Sequence, residues 1–387
     1  MLRLEQLKAK IEKLGHRAIE KEQQRARETA QALKWLDDAP DSHQIRAWVD
    51  EEGEAEVQYA LPVGDEPLDK RIHEDTSPPR GTTVIGVDGS QIMPDRHAPV
   101  LYYLLQQGGL IFRYDGEAPT PCGEASLHYN DEELYDAEGQ IITRQVGIRR
   151  TVAEISYLAI LVEEAQAEGA SAPILAFTDG PLLWPYSGRS PEEEVALPSY
   201  LAAFTRLQEH GGMPIGFVER PGGQPLTNLL RLIGSHLTEN AETSKVSNHL
   251  LLTDQELMEH FLAPGERTVW LKRPTSMNQR HGRMGHTIWF CYVNVGAVGD
   301  PVIARIECPI WAVHRERWAK IMHAVLFHQS RILGGHPYVL ARAHELAIVT
   351  NQDKAILEGI LRRRLLEAGI VTRSSVKARQ KSYLGRR

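Results

Sequence analysis

The sequence has only three cysteines in 387 residues, Cys122, Cys291 and Cys308. They are too few and too scattered for a disulfide framework or a CxxC-type zinc site. A reducing, cytoplasmic compartment is therefore the expectation. Long apolar runs are missing too: the longest largely apolar stretch, Ile155 to Val162, has eight residues, whereas a membrane span needs about 20. The opening MLRLEQLKAKIEK is charged throughout and does not read as a signal peptide. No membrane role is expected. There is no GxxxxGK[ST] loop, no GxSxG elbow, no HExxH pair and no GxGxxG turn, so ATP hydrolysis by this chain is not expected.

What is present is the composition of a globular chain, 42% hydrophobic and 25% charged, enough to build two ordinary domains or one large one. A net charge of −7 argues against a general polyanion binder, but the charge is uneven. Between Leu361 and Arg387, nine Arg or Lys residues face the single acid Glu367. The stretch from Arg267 to His286 holds Arg267, Lys272, Arg273, Arg280 and Arg283 with no acid. Such runs are ordinarily solvated surface. Two of them in an acidic chain point to a localised polyanion contact.

Leu2, Leu4, Leu7, Ile11, Leu14 and Ala18 recur at helical spacing and predict an amphipathic helix over residues 1–38, suited to a dimer or partner contact. An acidic, proline-containing connector follows, Asp50 to Pro79. The core starts at Gly81. Val84–Val87 is a strand ending in Asp88-Gly89-Ser90, and apolar runs on either side of Gly108-Gly109 give a hairpin signal. Three strands in an antiparallel meander are expected. A helix over Arg144–Ala167, a strand Pro173–Phe177 ending at Asp179-Gly180-Pro181, a helix over Pro191–Glu209 and a strand Ile215–Val218 come next. The order predicts a mixed α/β sheet. Further on, helices are expected at Leu226–Leu237, Asp254–Leu262, Arg315–Phe327, Tyr338–Val349 and Asp353–Ala368. Strands are expected at Thr268–Leu271, Ile288–Val295 and Val302–Ile306.

Two acids, Asp88 and Asp179, close strands, which is where open α/β sheets place their ligands. An Asp before Gly is most often a turn residue. A pair of them on neighbouring strands is costly unless a cation neutralises it, and hard divalent cations take such oxygen ligands. Glu154 lies on the intervening helix; alone it would read as a solvent-facing acid. An Asp–Glu–Asp set on a first strand, a helix and a fourth strand is the ligand layout of ribonuclease H-like nucleases. There, two divalent ions about 4 Å apart activate water and stabilise the leaving oxygen. His344, about two turns into a late helix opened by Pro337, is either a satisfied core histidine or the fourth ligand and proton-transfer group.

In order, VIGVDGS (Val84–Ser90), the helix around Glu154, TDGPL (Thr178–Leu182) and GHPYVLARAHEL (Gly335–Leu346) resemble the NurA nuclease family. The resemblance runs from about Gly81 to about Glu358. It implies a ribonuclease H-like mixed sheet with flanking helices over 81–358, with an N-terminal helix and acidic connector (1–80) and a basic C-terminal extension (359–387). It further implies a two-ion manganese or magnesium site formed by Asp88, Glu154, Asp179 and His344. The activity implied is 5′-to-3′ exonuclease on single- and double-stranded DNA with single-strand endonuclease activity. The implied assembly is a homodimer acting with the HerA hexameric ATPase in DNA end resection and repair. The family often carries a tyrosine just before the proline of the last motif. Here His336 stands there and Tyr338 follows two residues later, so either could act. Within this frame Lys272, Arg273, Arg280 and Arg283 would line a DNA channel. Trp270, Trp289 and Phe290 would stack on bases or fill the core. Glu219–Gly223 would shape a rim, and Ser90 and Gln91 would orient Asp88 or the water. The alternative is a non-catalytic, DNA-binding dimeric scaffold for the ATPase.

Overall fold

The computed structural model describes residues 7–52, 58–74, 77–187, 190–237 and 252–370. Leu2 and Leu4 of the N-terminal pattern lie outside them, as do the basic residues from Arg373 onward. In chain order the elements begin with α1 (Lys8–Asp37), α2 (Ser42–Glu52), β1 (Leu61–Pro62) and β2 (Ile72–His73). Then come β3 (Thr83–Ile92), β4 (Tyr103–Arg113), β5 (Thr120–His128), α3 (Asp131–Leu134), α4 (Arg144–Ala167), β6 (Ile174–Asp179), α5 (Pro191–Glu209) and β7 (Gly212–Glu219). The remainder is α6 (Pro225–Leu237), α7 (Asp254–Phe261), β8 (Glu266–Arg267), β9 (Leu271–Lys272), α8 (Ser276–Arg283), β10 (Ile288–Asn294) and β11 (Ile303–Pro309). It closes with α9 (Ile310–Val313), α10 (Glu316–Ile332), α11 (Tyr338–Ala347) and α12 (Asn351–Glu367). The chain forms two compact units, Met1–Ser77 with Gly216–His336, and Pro78–Ile215 with Pro337–Arg387.

The second unit opens with an antiparallel meander, β3 to β4 to β5, but not with the strands expected: the runs on either side of Gly108-Gly109 are the single strand β4, and the third strand is β5, which the sequence pattern does not predict. β6 then lies parallel to β3, with Val87 beside Thr178, and β7 follows β6 in the order. Helices cover the sheet because its inner strands are apolar on both faces. α4 forms where apolar residues recur every three to four positions without proline. It buries Val146, Ile148, Ile155, Leu158, Leu161 and Val162, each contributing about 1.5–3 kcal/mol relative to exposure. It stops where Gly169 takes a φ of 98°. α5 starts at Ser190, whose Oγ accepts from the Glu193 N–H at 3.3 Å, with Pro191 at its first position.

One expectation is corrected here. Gly108-Gly109 is not a turn but the middle of β4, paired in register with Asp88 and Val87. The glycines are needed between layers. A Cβ on Gly108 would lie 2.3 Å from the Ala347 amide nitrogen and 2.6 Å from the Ala343 carbonyl of α11. On Gly109 it would lie 2.8 Å from Leu161 of α4. Gly86 of β3 repeats the pattern, with the Val339 carbonyl of α11 at 2.7 Å. Because neighbouring residues on a strand face opposite ways, α11 covers the face of Gly86 and Gly108, and α4 covers the face of Gly109. Gly108→Ala is accordingly expected to destabilise the chain, since backbone atoms cannot yield as a side chain can. An overpacking cost of about 1–3 kcal/mol corresponds to a melting point lower by roughly 2–12 °C. Thermal melting followed by circular dichroism checks this, and an unchanged midpoint would refute the close packing.

The first unit carries the strand order β1-β9-β10-β11-β7, with β8 beside β10 and β2. Its core joins Ala32, Leu36 and Ile45 from the N-terminal helices to Leu229, Leu230, Leu257, Phe290 and Tyr292. Asp254, fully buried, accepts from the backbone N–H groups of Leu226 and Thr227 and from the Tyr292 hydroxyl, so it ties the start of α6 to β10. Four short helices, α2, α3, α8 and α9, stand where the sequence pattern predicts none. Among the described residues no helix is long and apolar enough to cross a membrane.

Candidate metal centre

Asp88 sits in β3, and the parallel neighbour β6 ends at Asp179, one residue beyond the Val87–Thr178 pair. The two acids therefore occupy adjacent strands, about 4.8 Å apart in the sheet. α11 brings His344 onto Asp88: His344 Nδ1 lies 2.6 Å from Asp88 Oδ2, while Asp88 Oδ1 accepts from the Gly89 N–H at 2.8 Å. His344 is 62% exposed, so the reading of it as a core histidine is set aside. Glu154 reaches the same strand from the opposite side. A Cβ on Gly89 would lie 2.5 Å from Glu154 Oε1, so the carboxylate rests directly on the glycine that follows Asp88. Glu154 and Asp179 share a cleft of about 290 Å³ with Arg150, Thr151, Thr178 and Tyr186.

The electrostatics of this cluster are unfavourable without a cation. Burial pushes the Glu154 carboxyl up to about 8; Arg150 opposes the shift, and the charges of Asp88 and Asp179 add to it. Arg150 Nε lies 3.1 Å from Glu154 Oε1, and Arg150 Nη1 donates to Gln91 Oε1 at 3.0 Å. A guanidinium and an imidazole thus stand beside the acids. Among the described residues no three His, Cys, Asp or Glu side chains already converge as ligands of one ion. The donor set nevertheless fits hard divalent cations: the donors are carboxylate oxygens, and a cation favours the ionised carboxylate that burial first, and the neighbouring acids second, disfavour.

The family model of the NurA domain matches residues 82–349, which takes in all four of these side chains. The chain belongs to the NurA family. Three crystal structures of NurA are similar to it. One, without a named ligand, is 11% identical with a TM-score of 0.40 and covers 74% of this chain and 89% of its own. One bound to dAMP and manganese is 13% identical with a TM-score of 0.41, covering 93% and 97%. One with manganese is 12% identical with a TM-score of 0.38, covering 88% and 98%. Among curated proteins there is no match.

Not every expected residue of this NurA domain joins the cluster. Tyr338 does not: its ring stands edge-on to Phe112, which pairs with Val84, four residues before Asp88 and about 13 Å away along the strand. His336 belongs to the other unit, 3.7 Å from Glu219 and edge-on to Phe217. Ser90 donates to the Ala347 carbonyl at the end of α11, so it fastens that helix rather than Asp88. Gln91 accepts from Arg150. Arg150 itself escaped the sequence reading, although its position four residues before Glu154 is ion-pair spacing on a helix.

The basic stretch is mixed. Arg280 and Arg283 lie on α8. Arg273 is half-buried, and burial holds its guanidinium below the usual range, with Glu307 opposing. Phe290 is 2% exposed and belongs to the core, not to a base-stacking platform. Trp270 lies under the Arg267 guanidinium and Trp289 stands edge-on to His314. Glu219, Arg220 and His336 line a separate cleft of about 460 Å³ in the first unit.

Proposed function

We propose that this NurA protein is a divalent-metal-dependent deoxyribonuclease. The observation that carries the reading is the placing of Asp88 and Asp179 on adjacent strands, with Glu154 against the glycine next to Asp88 and His344 on Asp88 itself. Such a cluster costs stability without a cation, so its presence argues for a working site. Asp88, Glu154 and Asp179 would hold two manganese or magnesium ions, with His344 completing the set. When bound, these supply a water of lowered pKa and a clamp on the departing 3′ oxygen. Asp88 orients the His344 ring through Nδ1, which leaves Nε2 free to move a proton at the solvent-facing edge of the site. Arg150 balances Glu154 until a phosphodiester takes its guanidinium as a partner.

The strand order β5-β4-β3-β6-β7, with β3 and β6 parallel, supports the ribonuclease H-like reading of the fold. Residues 81–358 would form the nuclease domain, with 1–80 and 359–387 as extensions. Digestion from 5′ ends, single-strand endonuclease activity, a homodimer and action with a HerA-type ATPase belong to the same proposal. A motor in trans fits a chain that lacks a phosphate loop of its own.

The test is cleavage of 5′- and 3′-labelled single- and double-stranded DNA by the purified protein. Cleavage is expected with manganese or magnesium and none with EDTA, and the label released first gives the polarity. No cleavage with any metal, even with the ATPase and ATP present, would leave the scaffold reading.

A further inference from the structure

Gln107 lies in the middle of β4 and is 3% exposed. Its side-chain Nε2 is buried and has no hydrogen-bond partner. A buried amide without a partner costs about 1–3 kcal/mol, so such a group calls for a partner in some working state of the molecule. The ladder fixes where that partner can be. Gln107 pairs directly with Gly89 of β3 and with Glu124 of β5. Leu105 and Gly109, two residues either side of it, face α4: Leu105 lines a cavity with Ile148, Val152 and Ala153, and Gly109 packs on Leu161. Gln107 therefore projects from the α4 face.

On that face its cross-strand neighbour Gly89 has no side chain, and the space above it is filled by the Glu154 carboxylate. Directly opposed positions place their Cβ atoms about 5 Å apart. A glutamine amide extends further than that gap requires, so Glu154 is within its reach. Glu124, on the other side, is exposed and meets water, so it has no need of the amide.

We propose that Gln107 is a positioning residue for the metal centre, donating its Nε2–H to the Glu154 carboxylate when that group is turned toward a divalent cation. Arg150, which now balances Glu154, is then released toward substrate. This inference rests on the metal-centre reading above, and it adds a residue that touches neither ion nor DNA. Partners of this outer kind typically change metal affinity or activity about 10–100-fold.

The experiment is manganese binding by the full chain, followed by electron paramagnetic resonance of free Mn²⁺, for wild type, Gln107→Met, Gln107→Leu and Asp88→Asn, with thermal melts of each without metal. Both Gln107 variants keep bulk and remove the donor. They are expected to melt no lower than wild type, because an unpaired buried amide is lost, and yet to bind manganese at least tenfold more weakly. Single-turnover cleavage should fall with the same ratio and recover at high manganese. Manganese affinity equal to wild type in whichever variant remains folded would overturn the proposal. If wild type and Asp88→Asn bind manganese alike, or neither binds it, the metal-centre reading itself fails. If only Asp88→Asn loses binding, the failure belongs to Gln107 alone.

Discussion

Asp88→Asn is expected to lower the rate of metal-dependent DNA cleavage by about a thousandfold with the fold intact. The substitution keeps an oxygen that can accept from the Gly89 N–H, so β3 loses no backbone support. It removes the negative charge that the cluster offers a cation, and it places a neutral amide against His344. Stabilisation by a metal ion is worth several kcal/mol of the barrier, and each 1.36 kcal/mol is a factor of ten in rate. Losing about 4 kcal/mol gives the stated drop. Single-turnover cleavage at saturating manganese measures it, with a thermal melt as control. A variant cleaving within tenfold of wild type would remove Asp88 from the site.

Gly89→Ala acts on the same centre through space rather than charge. The added methyl would sit 2.5 Å from Glu154 Oε1 and 2.7 Å from its Cγ, closer than any real contact. β3 is paired with β4 at Gly89 and on to Ile92, and with β6 up to Val87, so the side chain of Glu154 moves more readily than the strand. Displacing a reacting group by about 1 Å can cost 100-fold in rate, and that loss is expected in kcat with little change in the melting temperature. Restoration of activity by shortening the displaced acid, in Gly89→Ala with Glu154→Asp, would strengthen the case. Full activity in Gly89→Ala alone would show that Glu154 does not need this position.

The parts of the fold that could be read from the sequence are those whose signal is local. α4 and α5 follow the periodicity almost to their ends, and Asp179 does close its strand; Asp88, expected to close one, lies mid-strand because β3 stays paired with β4 as far as Ile92. What was hidden depends on the neighbour across the layer. A Gly-Gly pair reads as a turn when only the chain is visible; here Gly108 seats a helix that arrives more than 230 residues later, and Gly109 faces α4 on the other side. Tyr338 was expected at the site beside His344, but six residues of helix separate them by about 9 Å, and only the later one reaches Asp88. α8 carried a usable signal in Thr275, whose hydroxyl accepts from the Asn278 N–H, but its charge hid it among surface residues. Phe290 was ambiguous until the other strands of its unit enclosed it.

The seating of α11 on Gly86 and Gly108 bears on how this chain can change over generations. Contact from one main chain to another has no rotamers to repack, so the alignment of His344 with Asp88 is largely indifferent to the identity of the aliphatic residues beneath α4. Those residues are free to drift in size and shape, at a cost in melting temperature alone, while the chemistry stays in register. Positions 86 and 108 have no such freedom: any residue bearing a β-carbon collides with the backbone of α11. Beneath α11, mutational tolerance is therefore divided between a permissive core and two backbone positions that admit no side chain.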